Sequence, residues 1–93
     1  ILCKNWRAGK KEIDIVADDK GVLVIAEIKT RSSYDYAFPE EMVDKRKQQN
    51  LRAAAAVYAN ENRQYRDIRY DVVSILMEGG SAKEIVHFQE AFY

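Results

Sequence analysis

Glu12-Ile-Asp-Ile-Val-Ala17, Asp18-Asp-Lys-Gly21 and Val22-Leu-Val-Ile-Ala-Glu-Ile-Lys29 follow one another without a break in this 93-residue sequence. Two runs rich in Ile and Val flank a short polar segment that ends in glycine. This pattern is typical of two antiparallel strands joined by a tight loop. The stretch therefore predicts a β-hairpin, with strands at about 11–17 and 22–29.

The predicted hairpin carries an unusual concentration of charge. A four-residue loop at 18–21 would place Glu12 opposite Glu27, and Asp14 opposite Ile25 and diagonal to Glu27. Because side chains alternate between faces along a strand, Glu12, Asp14, Glu27 and Lys29 would then share one face. Charged groups on a mostly apolar hairpin are costly unless something requires them. Converging carboxylates favour a divalent cation, since hard cations prefer oxygen ligands.

Length and composition predict one soluble globular domain. The hydrophobic fraction is 47% and the charged fraction 32%, and 15 basic residues balance 15 acidic ones. Net charge therefore gives no argument for nucleic-acid binding. The single cysteine, Cys3, excludes an internal disulfide and favours a reducing, cytoplasmic location. The sequence contains no apolar run of transmembrane length and no signal-peptide pattern.

The remaining sequence predicts a short edge strand over residues 1–7, a helix and two further strands. Proline at the first helical position favours a helix over about 39–62, with a polar half at 44–50 and a half rich in small apolar residues at 51–58. The apolar run 69–77 predicts a strand buried on both faces, parallel to the second hairpin strand through a right-handed crossover. A strand at about 83–89 would pair back on it after a glycine turn.

Several residues have both a structural and a functional interpretation. Trp6 is expected to pack rather than to stack on a base. Asp71 is either a buried, hydrogen-bonded carboxylate or a support for the site, and we favour the structural role. Lys47 belongs to a basic cluster at 45–47 that either faces solvent or contacts phosphates. His87 has no histidine or cysteine partner at ligand spacing, so a zinc site is not expected.

Asp14 followed by Glu27-x-Lys29 resembles the core of the PD-(D/E)xK nucleases. By itself this motif is weak, because many strands contain it by chance. A longer match, in the same order along essentially the whole chain, resembles the YraN-like family of bacterial proteins. The matching segments are Asn5-Trp-Arg7, Glu12-Ile-Asp-Ile-Val-Ala17, Glu27-Ile-Lys-Thr-Arg-Ser-Ser33, Val43-Asp-Lys-Arg-Lys-Gln48 and Arg69-Tyr-Asp-Val-Val-Ser-Ile75.

The resemblance implies an α/β, restriction-endonuclease-like fold with a mixed central sheet, and a nuclease nearest in style to Holliday junction resolvases. It implies that Asp14, Glu27 and the backbone carbonyl of Ile28 bind Mg²⁺ or Mn²⁺, and that Lys29 is catalytic. Glu12 would be an accessory carboxylate. The implied substrate contacts are Thr30, Arg31, Lys47 and Gln48.

The sequence departs from the family pattern in three places. Family members usually begin with a helix that carries a Gly-Glu pair, so we expect residues 1–93 to be a single nuclease-like domain without this amino-terminal helix. Ile13 stands where the nuclease motif usually has proline, and Lys11 stands where the family usually has glycine.

Three functions remain open at this point. The first is a metal-dependent DNA endonuclease, selective for branched or junction DNA and acting as a homodimer, since cutting both strands needs two sites. The second is a non-catalytic nucleic-acid-binding module of the same fold. The third is a structural or interaction domain in which Asp14, Glu27 and Lys29 only neutralise one another.

Overall fold

A computed structural model describes residues 1–32 and 42–93. The described residues form a mixed α/β structure with a five-stranded sheet and a helix, as the sequence predicts. The elements, in chain order, are β1 (Cys3–Ala8), β2 (Lys11–Asp19), β3 (Val22–Arg31), α1 (Lys45–Glu61), β4 (Ile68–Glu78) and β5 (Ser81–Phe92).

The sheet has the strand order β1-β2-β3-β4-β5. The pairs β1–β2, β2–β3 and β4–β5 are antiparallel, whereas β3 and β4 are parallel. Parallel neighbours need a long crossover, and α1 lies in the connection between β3 and β4. The predicted parallel pairing and the predicted final hairpin are both confirmed.

The predicted register of the first hairpin is wrong by two residues. Lys20 and Gly21 both have positive φ, 52° and 89°, and form a two-residue loop of the kind that matches the twist of paired strands. Asp19 therefore pairs with Val22, and Val16 rather than Asp14 lies opposite Ile25. Within the regular pairing from Ile15 to Asp19, a shift of two residues leaves each side chain on its predicted face, because a strand repeats every two residues.

Helix α1 starts later than predicted. Lys45 is its first residue, and residues 42–44 are not helical. Asp44 is the N-cap, and its Oδ1 accepts a 2.8 Å hydrogen bond from the Lys47 N–H. The predicted start at Pro39 lies outside the described residues, whereas the predicted end near residue 62 is confirmed. No described helix is long and apolar enough to cross a membrane.

The core lies between α1 and the sheet. Leu51, Ala54 and Ala55 are buried on the inner side of α1, where alanines allow the helix to approach the strands closely. The helix contacts β2 and, to a smaller extent, β1 and β3. Trp6 packs edge-to-face on Tyr58 of the helix, with ring centroids 5.2 Å apart, so its predicted packing role is confirmed.

Strand β4 is less buried than its sequence predicts. Asp71, Val72 and Leu76 are buried, but most of the other β4 residues are only partly buried, so burial on both faces along its length is wrong. The cause is the position of α1, whose contacts are with the other half of the sheet. An apolar run alone does not show how much of a strand its neighbours cover.

Asp71 has the structural role that we favoured. Its side chain is fully buried and its carboxylate accepts two hydrogen bonds of 2.9 Å from Arg69. His87 Nε2 lies 2.7 Å from Asp71 Oδ2, and the Glu90 N–H donates to Oδ1. Burial by itself raises the pKa of Asp71, but the Arg69, His87 and Glu90 hydrogen bonds hold it below its usual range.

Candidate metal and phosphodiester site

The structure brings Asp14 and Glu27 together at the open end of the first hairpin. The pairing of β2 with β3 runs from the Asp19–Val22 pair to the Ile15–Ala26 pair. Beyond it, the Ile28 N–H donates a 2.9 Å hydrogen bond to Asp14 Oδ2. The side chains of Asp14 and Glu27 are also hydrogen-bonded to each other. The two carboxyl groups therefore form a pair. They lie closer together than in the diagonal arrangement that the sequence predicts.

Strand β2 is irregular around Asp14. Strict alternation would place Ile13 and Val16 on opposite faces of the sheet, yet both are fully buried in one core cluster. On β1, Asn5 lies between the Lys4–Ile15 and Trp6–Ile13 pairs and has a φ of 51°. Positive φ is uncommon for residues other than glycine, although asparagine tolerates it. This local irregularity accompanies the turn of the Asp14 side chain toward β3.

Glu27 is a buried carboxyl group with an unsatisfied oxygen. The residue is 5% exposed, and its Oε2 atom is buried without a hydrogen-bond partner of acceptable geometry among the described residues. Burial is the largest cause that raises the pKa of Glu27, followed by the hydrogen bond to Asp14 and the negative charge of Asp14, and the resulting pKa is about 7. At pH 7 the pair therefore holds on average about half a proton.

Asp14 is the ionised member of the pair. Burial tends to raise its pKa, but hydrogen bonds from Glu27 and from the Ile28 N–H lower it, as do the positive charges of Lys47 and Lys29. The net effect is a pKa below the usual range of aspartate. Two neighbouring carboxyl groups with pKa values pushed in opposite directions are typical of functional sites, although structural pairs show the same behaviour.

Lys47 reaches this pair from the first turn of α1. Its ammonium lies 3.4 Å from Glu27 Oε2, and its side chain is 39% exposed. Lys29 is partly buried at the same end of β3 and contributes a positive charge near Asp14. The sequence predicted Lys47 as a substrate contact and did not predict its ion pair with Glu27. The start of α1 at the Asp44 cap, rather than at residue 39, fixes this position.

The other predicted site residues are distributed around the pair. Glu12 forms a 3.0 Å ion pair with Arg7 on β1, so its carboxylate has another partner. Thr30 and Arg31 lie at the end of β3, exposed and partly exposed respectively. Gln48 donates to the Val43 carbonyl at 2.9 Å and accepts from Arg52 at 3.2 Å.

The carboxylate pair fits a divalent cation in its chemistry but supplies few ligands. Two carboxylates with a buried, unsatisfied oxygen are suitable donors for Mg²⁺ or Mn²⁺. Within residues 1–32 and 42–93, no group of three or more His, Cys, Asp or Glu side chains is placed to hold a metal ion. A cation here would therefore complete its shell with backbone, water and substrate oxygens, which is usual for Mg²⁺.

Comparison with known proteins identifies the family. Residues 1–75 match the model of the uncharacterised protein family UPF0102. The chain belongs to the UPF0102 family. This is the family that the sequence resemblance called YraN-like.

UPF0102 relatives from distant bacteria match the chain along its length. A UPF0102 protein of Flavobacterium psychrophilum is 42% identical over 93 residues, which is 100% of this chain and 77% of the relative. A relative from Bacteroides fragilis is 38% identical, with coverage of 100% and 76%. A relative from Rhodococcus opacus is 36% identical, with coverage of 99% and 79%.

Proposed function

We propose that this protein is a metal-dependent DNA endonuclease with a restriction-endonuclease-like fold, whose substrates include branched or junction DNA. The observation that carries the proposal is the Asp14–Glu27 pair, in which Glu27 Oε2 is buried and has no hydrogen-bond partner within residues 1–32 and 42–93. A buried carboxyl oxygen without a hydrogen-bond partner is costly, because it has lost its hydration, and the Lys47 ammonium 3.4 Å away offsets that loss only in part. A bound cation would remove this cost.

Asp14 and Glu27 would hold Mg²⁺ or Mn²⁺. In the metal-free protein their negative charge is partly neutralised by a proton and by Lys47. When bound, the cation would supply a water molecule of lowered pKa and would offset charge on the scissile phosphate. The donor chemistry supports this assignment. The Ile28 carbonyl is a proposed third ligand. The hydrogen bond between Ile28 and Asp14 uses the Ile28 N–H, so the carbonyl takes no part in that contact.

Lys29 is the proposed catalytic lysine. It follows Glu27 by two residues on β3, so the two side chains share one face of the strand. The positive charge of Lys29 is one of the causes that lower the pKa of Asp14, which supports this assignment. A lysine in this position can orient the attacking water or stabilise the negative charge that develops on the phosphate.

DNA would approach where β3 and α1 both present basic groups. Arg31 lies at the end of β3, and Lys45 and Arg46 are exposed in the first turn of α1. Such side chains bind phosphates with little dependence on base sequence. Because the chain as a whole has a net charge of zero, binding would rely on this local cluster and weaken steeply with salt.

Replacing Lys29 with alanine should abolish cleavage and leave DNA binding intact. The test uses labelled single-stranded, duplex, flap and four-way-junction DNA, with Mn²⁺ or with EDTA. We expect cleavage that needs the metal and falls by a factor of about 100 or more in Lys29→Ala, since the lysine acts mainly in the transition state. Binding, measured by gel shift at low salt, should change less than about threefold.

Lys83→Ala is the matched control, because Lys83 lies on β5 in an exposed ion pair with Glu78. It should cleave like the unchanged protein. If the unchanged protein shifts the junction but never cuts, the non-catalytic binding module is the correct function. If the unchanged protein neither cleaves the DNA nor shifts it at low salt, the structural or interaction domain is the correct function.

A further inference from the structure

Lys47 and Glu27 form an ion pair whose two members are very unequally exposed. The Glu27 side chain is 7% exposed, whereas that of Lys47 is 39% exposed. The Lys47 backbone is fixed by the Asp44 cap, so the long side chain crosses from solvent to the buried oxygen. The ammonium can return to water by rotation of its side chain. Glu27 has no such alternative, because its carboxyl group points into the protein.

The ion pair also lacks the geometry of a good hydrogen bond. The nitrogen–oxygen distance is 3.4 Å, and in the part of the chain that the structure describes Glu27 Oε2 has no hydrogen-bond partner of acceptable geometry. Strong charge-assisted bonds are shorter, at about 2.7–2.9 Å. Lys47 therefore supplies positive charge to the carboxylate pair without satisfying the oxygen fully. A cation that coordinates Glu27 Oε2 directly would compete effectively with the Lys47 ammonium.

We propose that Lys47 is a positioning residue. In the metal-free protein its ammonium supplies the positive charge that the divalent cation would supply, and it leaves Glu27 when the cation binds. The inference rests on the proposed metal site, and assigns Lys47 a role different from that of Lys29. A divalent cation bound to Glu27 Oε2 would repel the Lys47 ammonium, which lies 3.4 Å from the same oxygen. Once released, the ammonium lies beside the site with its charge free for a substrate phosphate, so that cation binding prepares the site for DNA.

The test is Mn²⁺ binding by Lys47→Met, followed at pH 8 without DNA through the electron paramagnetic resonance signal of the free ion. Methionine keeps the length and helix preference of lysine and removes the charge. We expect Lys47→Met to bind Mn²⁺ about tenfold more tightly than the unchanged protein, because one competing charge has gone. Lys47→Arg retains a cation and should stay within about threefold of the unchanged protein.

Lys83→Met is the control, since Lys83 makes an exposed ion pair with Glu78 on the hairpin of β4 and β5. It should bind Mn²⁺ like the unchanged protein. Equal or weaker binding by Lys47→Met would overturn the role of Lys47 but not the metal site. If the unchanged protein and all variants fail to bind Mn²⁺, the proposed metal site and this inference both fail. A circular dichroism spectrum of each variant establishes that it is folded, and Lys47→Gln replaces Lys47→Met if it is not.

Discussion

Replacing Glu27 with glutamine should stabilise the metal-free protein at pH 8 and abolish metal-dependent cleavage. Glutamine is uncharged, and its amide can donate to Asp14 as the protonated glutamic acid does. The pKa of Glu27 is raised from 4.5 to about 7, so the native state binds more protons than the unfolded state between these values. The free energy of unfolding therefore falls as the pH rises through this window. Glu27→Gln does not lose this stability, because glutamine does not ionise.

The expected gain at pH 8 is about 1–3 kcal/mol, since one pKa unit corresponds to about 1.4 kcal/mol and the full shift is an upper limit. At pH 5 the gain should be below about 1 kcal/mol. Urea unfolding at both pH values, followed by circular dichroism, measures the difference. Glu61→Gln is the control, because Glu61 is exposed at the end of α1. A loss of stability at pH 8 in Glu27→Gln would contradict this prediction, because it would mean that the charged Glu27 carboxylate stabilises the folded protein.

Replacing Asp71 with asparagine should destabilise the protein severely. Asp71 is fully buried and its carboxylate joins Arg69, His87 and the backbone of Glu90 across β4 and β5. Asparagine keeps the size but removes the charge that pairs with Arg69. Breaking a buried ion pair by removing one partner costs about 3–5 kcal/mol, because the other charge is left uncompensated. This is a large part of the stability of an ordinary small domain.

Urea unfolding at pH 7 measures this loss, with Asp67→Asn as the control in the neighbouring exposed connection. The control should change the free energy of unfolding by less than about 0.5 kcal/mol. A loss below about 1 kcal/mol in Asp71→Asn would contradict the structural role of Asp71. Such a result would mean that Arg69 finds sufficient compensation in its 2.8 Å ion pair with Asp19.

The sequence predicted most of the sheet because its signals are local. Ile and Val runs around Lys20-Gly21 define the hairpin, and the Gly79-Gly80 turn defines the second one. The length of the first loop was not predictable from these signals, because Asp18 and Asp19 are as acceptable in a loop as in a strand. In the structure they extend β2, and Asp18 accepts a hydrogen bond from the Gly21 N–H.

The carboxylate pair was predictable, but its electrostatics were not. A period of two residues places Asp14 and Glu27 on one face whichever even register the hairpin adopts. The raised pKa of Glu27 depends on its burial and on its contact with Asp14, and the charge of Lys47, twenty residues further along the chain, opposes it. Likewise, the ion pair of Glu12 with Arg7 depends on the pairing of β1 with β2. The hairpin motif covers β2 and β3 alone, so it does not predict this ion pair.

The most direct test of the central claim is the number of protons released when Mg²⁺ binds. Because the pKa of Glu27 is about 7, a cation held by Asp14 and Glu27 should displace about half a proton at pH 7 and almost none at pH 9. Calorimetric titrations in buffers of different ionisation enthalpy give this number. We predict this release for the unchanged protein and none for Glu27→Gln. Absence of Mg²⁺ binding, or a release that Glu27→Gln leaves unchanged, would contradict a metal site at this pair.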